Sequence, residues 1–425
     1  MPRYEEEKPV MQTIYFDKNI PRVLATKWIS RYWPGFVWTP FSSARFDTLP
    51  DPPLPGPNWL RVRNRLCGIC ASDLHLLFVH ADPSIAPAAL PGTQRIYLGH
   101  EVVSTVVEVG AGVTRFKVGD RAIMDHRFGG PTCFTLGIDP PCRQCADHQE
   151  YFCENKERPG PRGAGGGFGD SYTAHETDVY PCPPDLTDEQ AVLVEPMSCL
   201  VRSTLRHPPQ PGDRVLVVGA GVIGLGQIMA ARAFQPDCHI TAIARYPHQA
   251  EMAKRLGANE VLSRREGYER VAKLTGGKFF SAPMNKGIVV GGFDVIYDCV
   301  GSGRTIEDSL RWARAGGAVV IVGVNLNPVN IDLTLTWYHH VSLIGVNSHG
   351  HSAWNGETRH DYDWVIDLMR DGRFPTDGLI THRFPLADYR RAIAISMSKA
   401  KERAIKVVME CAPLGSNLSG MEYPH

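Results

Sequence analysis

Gly219, Gly221 and Gly224 stand as Gly-x-Gly-x-x-Gly directly after the apolar run Arg214–Val218, at the start of a helix-like stretch. No other feature constrains the fold as much. The same rhythm recurs through RVLVVGAGVIGLGQIMAARAF, HITAIARYPHQAEMAKRLGA, FDVIYDCVGSGRTIEDSLRWA and GAVVIVGV. Apolar strand, glycine turn and amphipathic helix in alternation predict parallel βαβ units, hence an α/β, doubly wound sheet. In such a turn the first glycine permits the tight bend and the second lets backbone approach a pyrophosphate. The third lets helix and strand pack closely, with the helix N-terminus facing the negative charge. An incidental glycine-rich turn would not be followed by this alternation.

The expected dinucleotide pocket takes in Gly219, Gly221, Val222, Ile223 and Gly224, with Val300, Gly323 and Val324 after later strands. About twenty residues beyond the motif an NAD site would place a carboxylate on the ribose 2′-hydroxyl. Here the strand ends Ile243-Ala244-Arg245. Arg245 suits a 2′-phosphate through charge-assisted bonds, which favours NADP over NAD. The alternative is a solvated arginine beside a pocket that takes either cofactor.

A chain of 425 residues is too long for one ordinary core, so two domains are expected. Acidic and basic side chains balance at 45 each, and no basic block marks a nucleic-acid partner. The charged start MPRYEEEKPV lacks a signal-peptide core, and no apolar run reaches transmembrane length, so a cytoplasmic protein is expected. Eleven cysteines, several closely clustered, suggest metal ligands before disulfides in a reducing compartment.

From Leu60 to Met124 short strands alternate with turns: WLRVRNRL, YLGHEVVSTVVEVG, FKVGDRAIM. Between Asp125 and Tyr172 the chain is rich in Gly, Pro and Cys and needs something besides a core, such as a structural metal. After Ile344 two helix candidates, DYDWVIDLMRDG and PLADYRRAIAISMS, and a strand, AIKVVME, leave the βαβ rhythm and are expected to return to the first domain. Residues 28–46 and 278–290 read as insertions, as loops.

CGICASDLH (Cys67 to His75), LGHE (Leu98 to Glu101) and VEP (Val194 to Pro196) offer thiolate, imidazole and carboxylate, all zinc ligands. With G-I-C-x-S-D-x-H, G-H-E-x-x-x-x-V-x-x-V-G (Gly99 to Gly110), G-D-R (Gly119 to Arg121), the Cys-rich lobe and the glycine fingerprint, the chain resembles the zinc-containing medium-chain alcohol dehydrogenases from about Leu60 to Glu410.

The resemblance implies a GroES-like catalytic domain from residues 1–196 and 345–425 and a Rossmann domain from 197–344, with the active site in a cleft. It makes Cys70 and His100 catalytic zinc ligands, Glu195 the third and Glu101 a nearby, exchanging fourth. Asp73 would bond the free nitrogen of His100, and Ser72 and His75 would relay a proton from the substrate oxygen to water. Cys67 is expected to be a small buried residue. Cys142, Cys145 and Cys153 match three structural-zinc cysteines of a lobe spanning about 133–153; the fourth position falls on Asp139, with Cys133 the alternative after a loop shift. Lys406 would contact the cofactor pyrophosphate, with Arg403 an equally basic neighbour.

One departure is Ala71, where the simple-alcohol branch often carries a basic pyrophosphate contact. The Glu-Pro context of Glu195 is similar to the polyol, threonine and glucose dehydrogenase branches, which implies a hydroxylated polar substrate. The resemblance also implies a homodimer or homotetramer. Two rivals remain: a zinc-independent quinone or enoyl reductase, which would not need Cys70, His100 and Glu195 together, and a non-catalytic binding protein on this fold.

Overall fold

A computed structural model describes residues 10–82, 94–125, 131–263 and 266–411. The chain forms two compact units, one drawn from Met1–Glu195 and Ile380–His425, the other Pro196–Leu379.

The first unit begins with β1 (Val10–Asp17), α1 (Ile20–Ile29), a short 3-10 helix at Pro34–Trp38 and β2 (Ala44–Pro50). It continues with β3 (Trp59–Gly68), α2 (Ala71–Leu77), β4 (Arg95–Tyr97), β5 (Glu101–Val109), β6 (Arg121–Met124), α3 (Arg143–Ala146), β7 (Ser171–His175) and β8 (Val179–Pro181). Helix α4 (Asp188–Arg206) contains the boundary between the units.

The second unit begins with strands alternating with helices: β9 (Arg214–Val218), α5 (Val222–Phe234), β10 (His239–Ala244), α6 (Pro247–Arg255), β11 (Glu260–Ser263) and α7 (Gly267–Thr275). After a hairpin of β12 (Lys278–Ala282) and β13 (Asn285–Val290) come β14 (Phe293–Asp298), α8 (Gly303–Trp312), β15 (Ala313–Ile321), α9 (Thr334–Tyr338) and β16 (Ser342–Gly345). A second hairpin, β17 (His351–Trp354) and β18 (Glu357–His360), leads into α10 (Asp361–Arg370). The sheet order is β11-β10-β9-β14-β15-β16, and every pairing in it is parallel. The strand order reverses between β9 and β14, where doubly wound sheets bind ligands.

The chain then returns to the first unit as β19 (Ile380–Pro385), α11 (Tyr389–Met397), α12 (Lys399–Glu402) and β20 (Lys406–Glu410). These complete a seven-stranded sheet, β19-β20-β3-β5-β6-β8 with β7 on β3. Its core includes Leu60, Val62, Val102, Val106, Val407 and Met409, all buried as the strand alternation requires.

Residues 345–379, expected with the first domain, belong to the second unit. Trp354 and Trp364 meet the ring of Phe234 edge-on, and Arg373 donates to the Ala233 carbonyl, so this segment is held against the end of α5. Both expected loop insertions are regular structure instead. Residues 278–290 form the β12–β13 hairpin, and residues 28–46 include the end of α1, the 3-10 helix and the start of β2. Neither segment shows a clear local periodicity, because its pairings depend on distant partners: Phe46 stacks on Tyr389 at 4.7 Å and Trp38 meets it edge-on.

Candidate metal and cofactor sites

The β3–β5 register sets Gly68 opposite Glu101. It thereby brings the loop after one strand, which carries Cys70, beside the residue before the other, His100. Gly99 has φ +81°, and a Cβ there would run into the backbone of Gly167 and Phe168. That is why a glycine precedes the histidine.

Cys70 is the N-cap of α2, and Asp73 three residues on folds back to it. One Asp73 oxygen accepts from the Cys70 N–H at 3.2 Å and the other from the Gly99 N–H at 3.0 Å. The second oxygen also lies 3.4 Å from His100 Nδ1. One buried carboxylate therefore ties both ligand loops together and leaves Nε2 of His100 facing Ser72, whose Oγ is 3.5 Å away. Burial opposes charge on both partners. The imidazolium and two backbone donors nevertheless hold Asp73 below its usual value, while Asp73 and the Cys70 sulfur hold His100 well above its own.

Ligand atoms of Cys70, His100 and Glu101 lie within 4.8 Å of one another. Thiol, imidazole and carboxylate at that separation fit zinc with a position left for substrate oxygen. Glu101, expected as the exchanging fourth group, is thus in the group of three. Glu195, expected as the third ligand, is buried on α4 outside that group, within electrostatic reach of Glu101. Register accounts for the difference: Glu101 follows His100 directly and begins the paired strand, whereas Glu195 arrives on a separate helix.

Glu101 is ion-paired with Lys406, and both are buried. The ammonium also donates to the Ile69 carbonyl at 3.1 Å. Burial raises Glu101, an effect the lysine partly offsets. Lys406, expected on the cofactor, is thus directed to the Glu101 carboxylate, while Arg403 is exposed with φ +53°. The signal that could have revealed this is a lone lysine in the apolar run of β20, where a buried charge requires a partner. Cys67 is fully buried, as expected. Ser72 and His75 are half-buried on α2, three residues apart and so on one face.

In the lobe the sulfurs of Cys133, Cys142, Cys145 and Cys153 also lie within 4.8 Å of one another. Cys153 is 3.8 Å from Cys133 and 4.0 Å from Cys142. Four thiolates about 2.3 Å from a tetrahedral zinc would stand about 3.8 Å apart, so the donor set fits a structural ion. Although burial opposes it, backbone donors from Glu154 and Cys145 bring the Cys142 thiol down to about 7.

The fourth member is Cys133 and not Asp139, which is exposed and outside the group. A turn closed by Leu136 N–H to Thr132 O and Ile138 N–H to Cys133 O buries Cys133. Its sulfur then accepts from the Cys142 N–H and the Asn155 amide.

In the second unit Gly219 has φ +94°, and a Cβ on Gly224 would collide with the Gly219 carbonyl. Nothing stands within 4 Å of a Cβ at Gly221, the N-cap of α5, so backbone there is open to a phosphate. Val222 and Ile223 begin that helix. Val300 packs over Gly219, Gly323 backs onto Val300 and Gly301, and Val300 and Val324 are exposed. β10 ends at Ala244 without a carboxylate, and exposed Arg245 lies over the Tyr246 ring at 5.3 Å.

Comparison with known proteins agrees with this construction. Residues 56–184 match the alcohol dehydrogenase GroES-like domain, and residues 222–370 match the zinc-binding dehydrogenase family. D-arabinitol dehydrogenase 1 of Uromyces fabae is 27% identical over 350 residues, 81% of this chain and 88% of that protein. Sorbitol dehydrogenase of Arabidopsis thaliana is 27% identical over 357 residues, 84% of this chain and 89% of that protein. A zinc-binding dehydrogenase of Sinorhizobium meliloti, solved with NADP, superposes with TM-score 0.68 at 24% identity, covering 95% of this chain and 99% of that one. The 2R,3R-butanediol dehydrogenase of Bacillus subtilis gives TM-score 0.69 at 23% identity, covering 94% and 99%.

The chain belongs to the zinc-binding medium-chain alcohol dehydrogenase family. It is a zinc- and nicotinamide-dependent dehydrogenase, with a catalytic site and a structural four-cysteine cluster. Among the described residues no helix is long and apolar enough to cross a membrane.

Proposed function

We propose that this protein oxidises a secondary hydroxyl of a polyol or sugar alcohol, and reduces the matching ketose, with NADP preferred over NAD. The observation that carries the reading is the Cys70, His100 and Glu101 group with Ser72 beside it. Relatives named as arabinitol, idonate and sorbitol dehydrogenases support the substrate class.

Cys70, His100 and Glu101 would hold zinc, with Glu195 near enough to bias Glu101. When bound, zinc supplies Lewis acidity toward the substrate hydroxyl and the nicotinamide supplies the hydride acceptor. Asp73 fixes the His100 ring through Nδ1, leaving Nε2 as the atom that would hold zinc. Ser72 takes up the hydroxyl proton and His75, one helical turn on, receives it. Lys406 balances the Glu101 charge and partly offsets the burial that favours its protonated form. Cys133, Cys142, Cys145 and Cys153 would hold the structural ion. The α5 N-terminus with Gly219, Gly221 and Gly224 would cradle the pyrophosphate, and Arg245 would pair with a 2′-phosphate. By family resemblance the protein is a homodimer or homotetramer, and eleven cysteines with no disulfide among them suit the cytoplasm.

Steady-state assays of zinc-loaded protein with sorbitol, arabinitol, xylitol and ethanol, each with NADP and NAD, test this. A polyol should exceed ethanol in kcat/KM, and Arg245→Ala should lower NADP kcat/KM about tenfold or more while sparing NAD. Turnover of simple alcohols alone, or an unchanged cofactor ratio, would overturn the corresponding half.

A further inference from the structure

Helix α2 ends in a turn with an unusual residue. Val79, which is β-branched, has φ +49°, a conformation that disfavours such side chains and is ordinarily left to glycine after a helix. Strain of that kind persists where the surroundings demand it and marks a position worth a functional hypothesis. The turn is held by Val79 N–H to Leu76 O at 3.1 Å and His80 N–H to His75 O at 2.8 Å.

The turn returns the His80 ring to His75. The two rings meet edge-on, with centroids 6.0 Å apart and planes at 72°, and Phe78 stacks on His80 at 5.6 Å. Edge-on rings at that separation leave room for one bridging water between them. The two histidines differ in their access to solvent. His75 is half-buried, and its Nδ1 is shielded with no hydrogen-bond partner among the described residues, whereas His80 is exposed. Ser72 lies one turn before His75 on the same helix.

We propose that His80 is the solvent-side member of a proton path that runs from Ser72 through His75 to His80. This rests on the dehydrogenase reading of the α2 site. As the substrate hydroxyl proton passes to Ser72 Oγ, the hydroxyl proton of Ser72 passes to His75. The imidazolium of His75 then yields a proton from its other ring nitrogen to His80, which hands it to buffer, and both rings return to neutral. Reduction of the carbonyl runs the path in reverse. The hydride goes to the nicotinamide, so no further oxidant is required.

The surrounding charges suit this role. His75 faces His80 and, from α12, Lys399; His80 faces Lys27 of α1, whose ammonium donates to the Ala81 carbonyl at 2.7 Å. Burial first, and these cations second, keep both imidazoles below the ordinary histidine range. Near neutral pH each is a base able to accept a proton and pass it on. His80 is exposed and packs against His75, so its role is to act through His75.

The test compares full-length zinc-loaded wild type with His80→Gln and His75→Gln in stopped flow at minimal buffer, following NADPH by absorbance and protons by an indicator dye. Proton release in His80→Gln should lag NADPH formation by about tenfold or more, and imidazole should restore it, with zinc content and KM unchanged. His75→Gln should show the larger defect. Proton release that keeps step with NADPH formation in His80→Gln, or a lag that imidazole leaves untouched, overturns the path while the dehydrogenase reading stands. A wild type that forms no NADPH from any alcohol or polyol overturns that reading and the path with it.

Discussion

The Cys133–Cys153 lobe draws four sulfurs from one short stretch of chain, and local turns close around them. The Cys70, His100 and Glu101 group draws three different donors from two loops joined by strand register. It adds an orienting carboxylate, Asp73, a buried counter-ion, Lys406, and a hydroxyl, Ser72. Four thiols satisfy a tetrahedral ion and leave nowhere for substrate, whereas three mixed donors leave one position open. The contrast teaches that one metal can hold a lobe together in one place and act as reagent in another, and that the neighbours of the ligands distinguish the two.

The largest expected effect breaks the reactive side of this comparison. Cys70→Ser should reduce kcat/KM by about a thousandfold or more while one zinc per chain, that of the lobe, survives dialysis. Metal analysis beside kinetics checks it, and retained turnover would remove Cys70 from the site. Breaking the other side, Cys133→Ser should lose the lobe ion and lower the melting temperature by at least about 4 °C. Asp139→Ala should do neither. The reverse pattern would restore Asp139 as the fourth ligand.

Lys406→Met sharpens the contrast, because it strands a buried carboxylate next to the ligands. The metal-free protein should lose about 3–5 kcal/mol in urea titration. Zinc should recover part of this by neutralising Glu101, and a variant indifferent to zinc would separate Glu101 from the metal.

A smaller effect is expected of Asp73→Asn, about 10–100-fold in zinc affinity at the catalytic site, measured by chelator competition. The folded-state pKa of Asp73 is depressed, so its contribution to stability is present above the ordinary value of about 4 and is lost as pH falls through the lower folded value. In Asp73→Asn that acid-side dependence should shrink.

The smallest effect is one of pH alone. His100 in the metal-free site is held well above its usual value, so zinc must displace a proton from it. Apparent affinity should fall as pH drops through that raised value, and calorimetry in buffers of different ionisation enthalpy should register proton release on binding. Uptake without proton release would contradict the Asp73–His100 pairing.

Much of the fold was legible in the chain itself. The strands of the parallel sheet, the late helices Asp361–Arg370 and Tyr389–Met397 and the strand Lys406–Glu410 follow from local periodicity, which acts within a few residues. The 278–290 hairpin and the 28–46 insertion were not legible, since their stability comes from partners such as Tyr389 that lie far along the chain. At the metal sites the residue types were legible, because zinc accepts only certain donors. The choice among neighbours was not.

By itself, then, the sequence determined the two kinds of domain, the glycine turn at Gly219, Gly221 and Gly224, the absence of a carboxylate beside Arg245, and the chemistry of every candidate ligand. Tertiary structure alone decided that Glu101 is grouped with Cys70 and His100 while Glu195 is not, that Cys133 and not Asp139 completes the four-cysteine group, and that Lys406 faces a carboxylate. The reason is physical. Periodicity and turn chemistry encode short-range geometry, whereas the distance between two ligands depends on strand register and loop closure, which many non-adjacent contacts settle together.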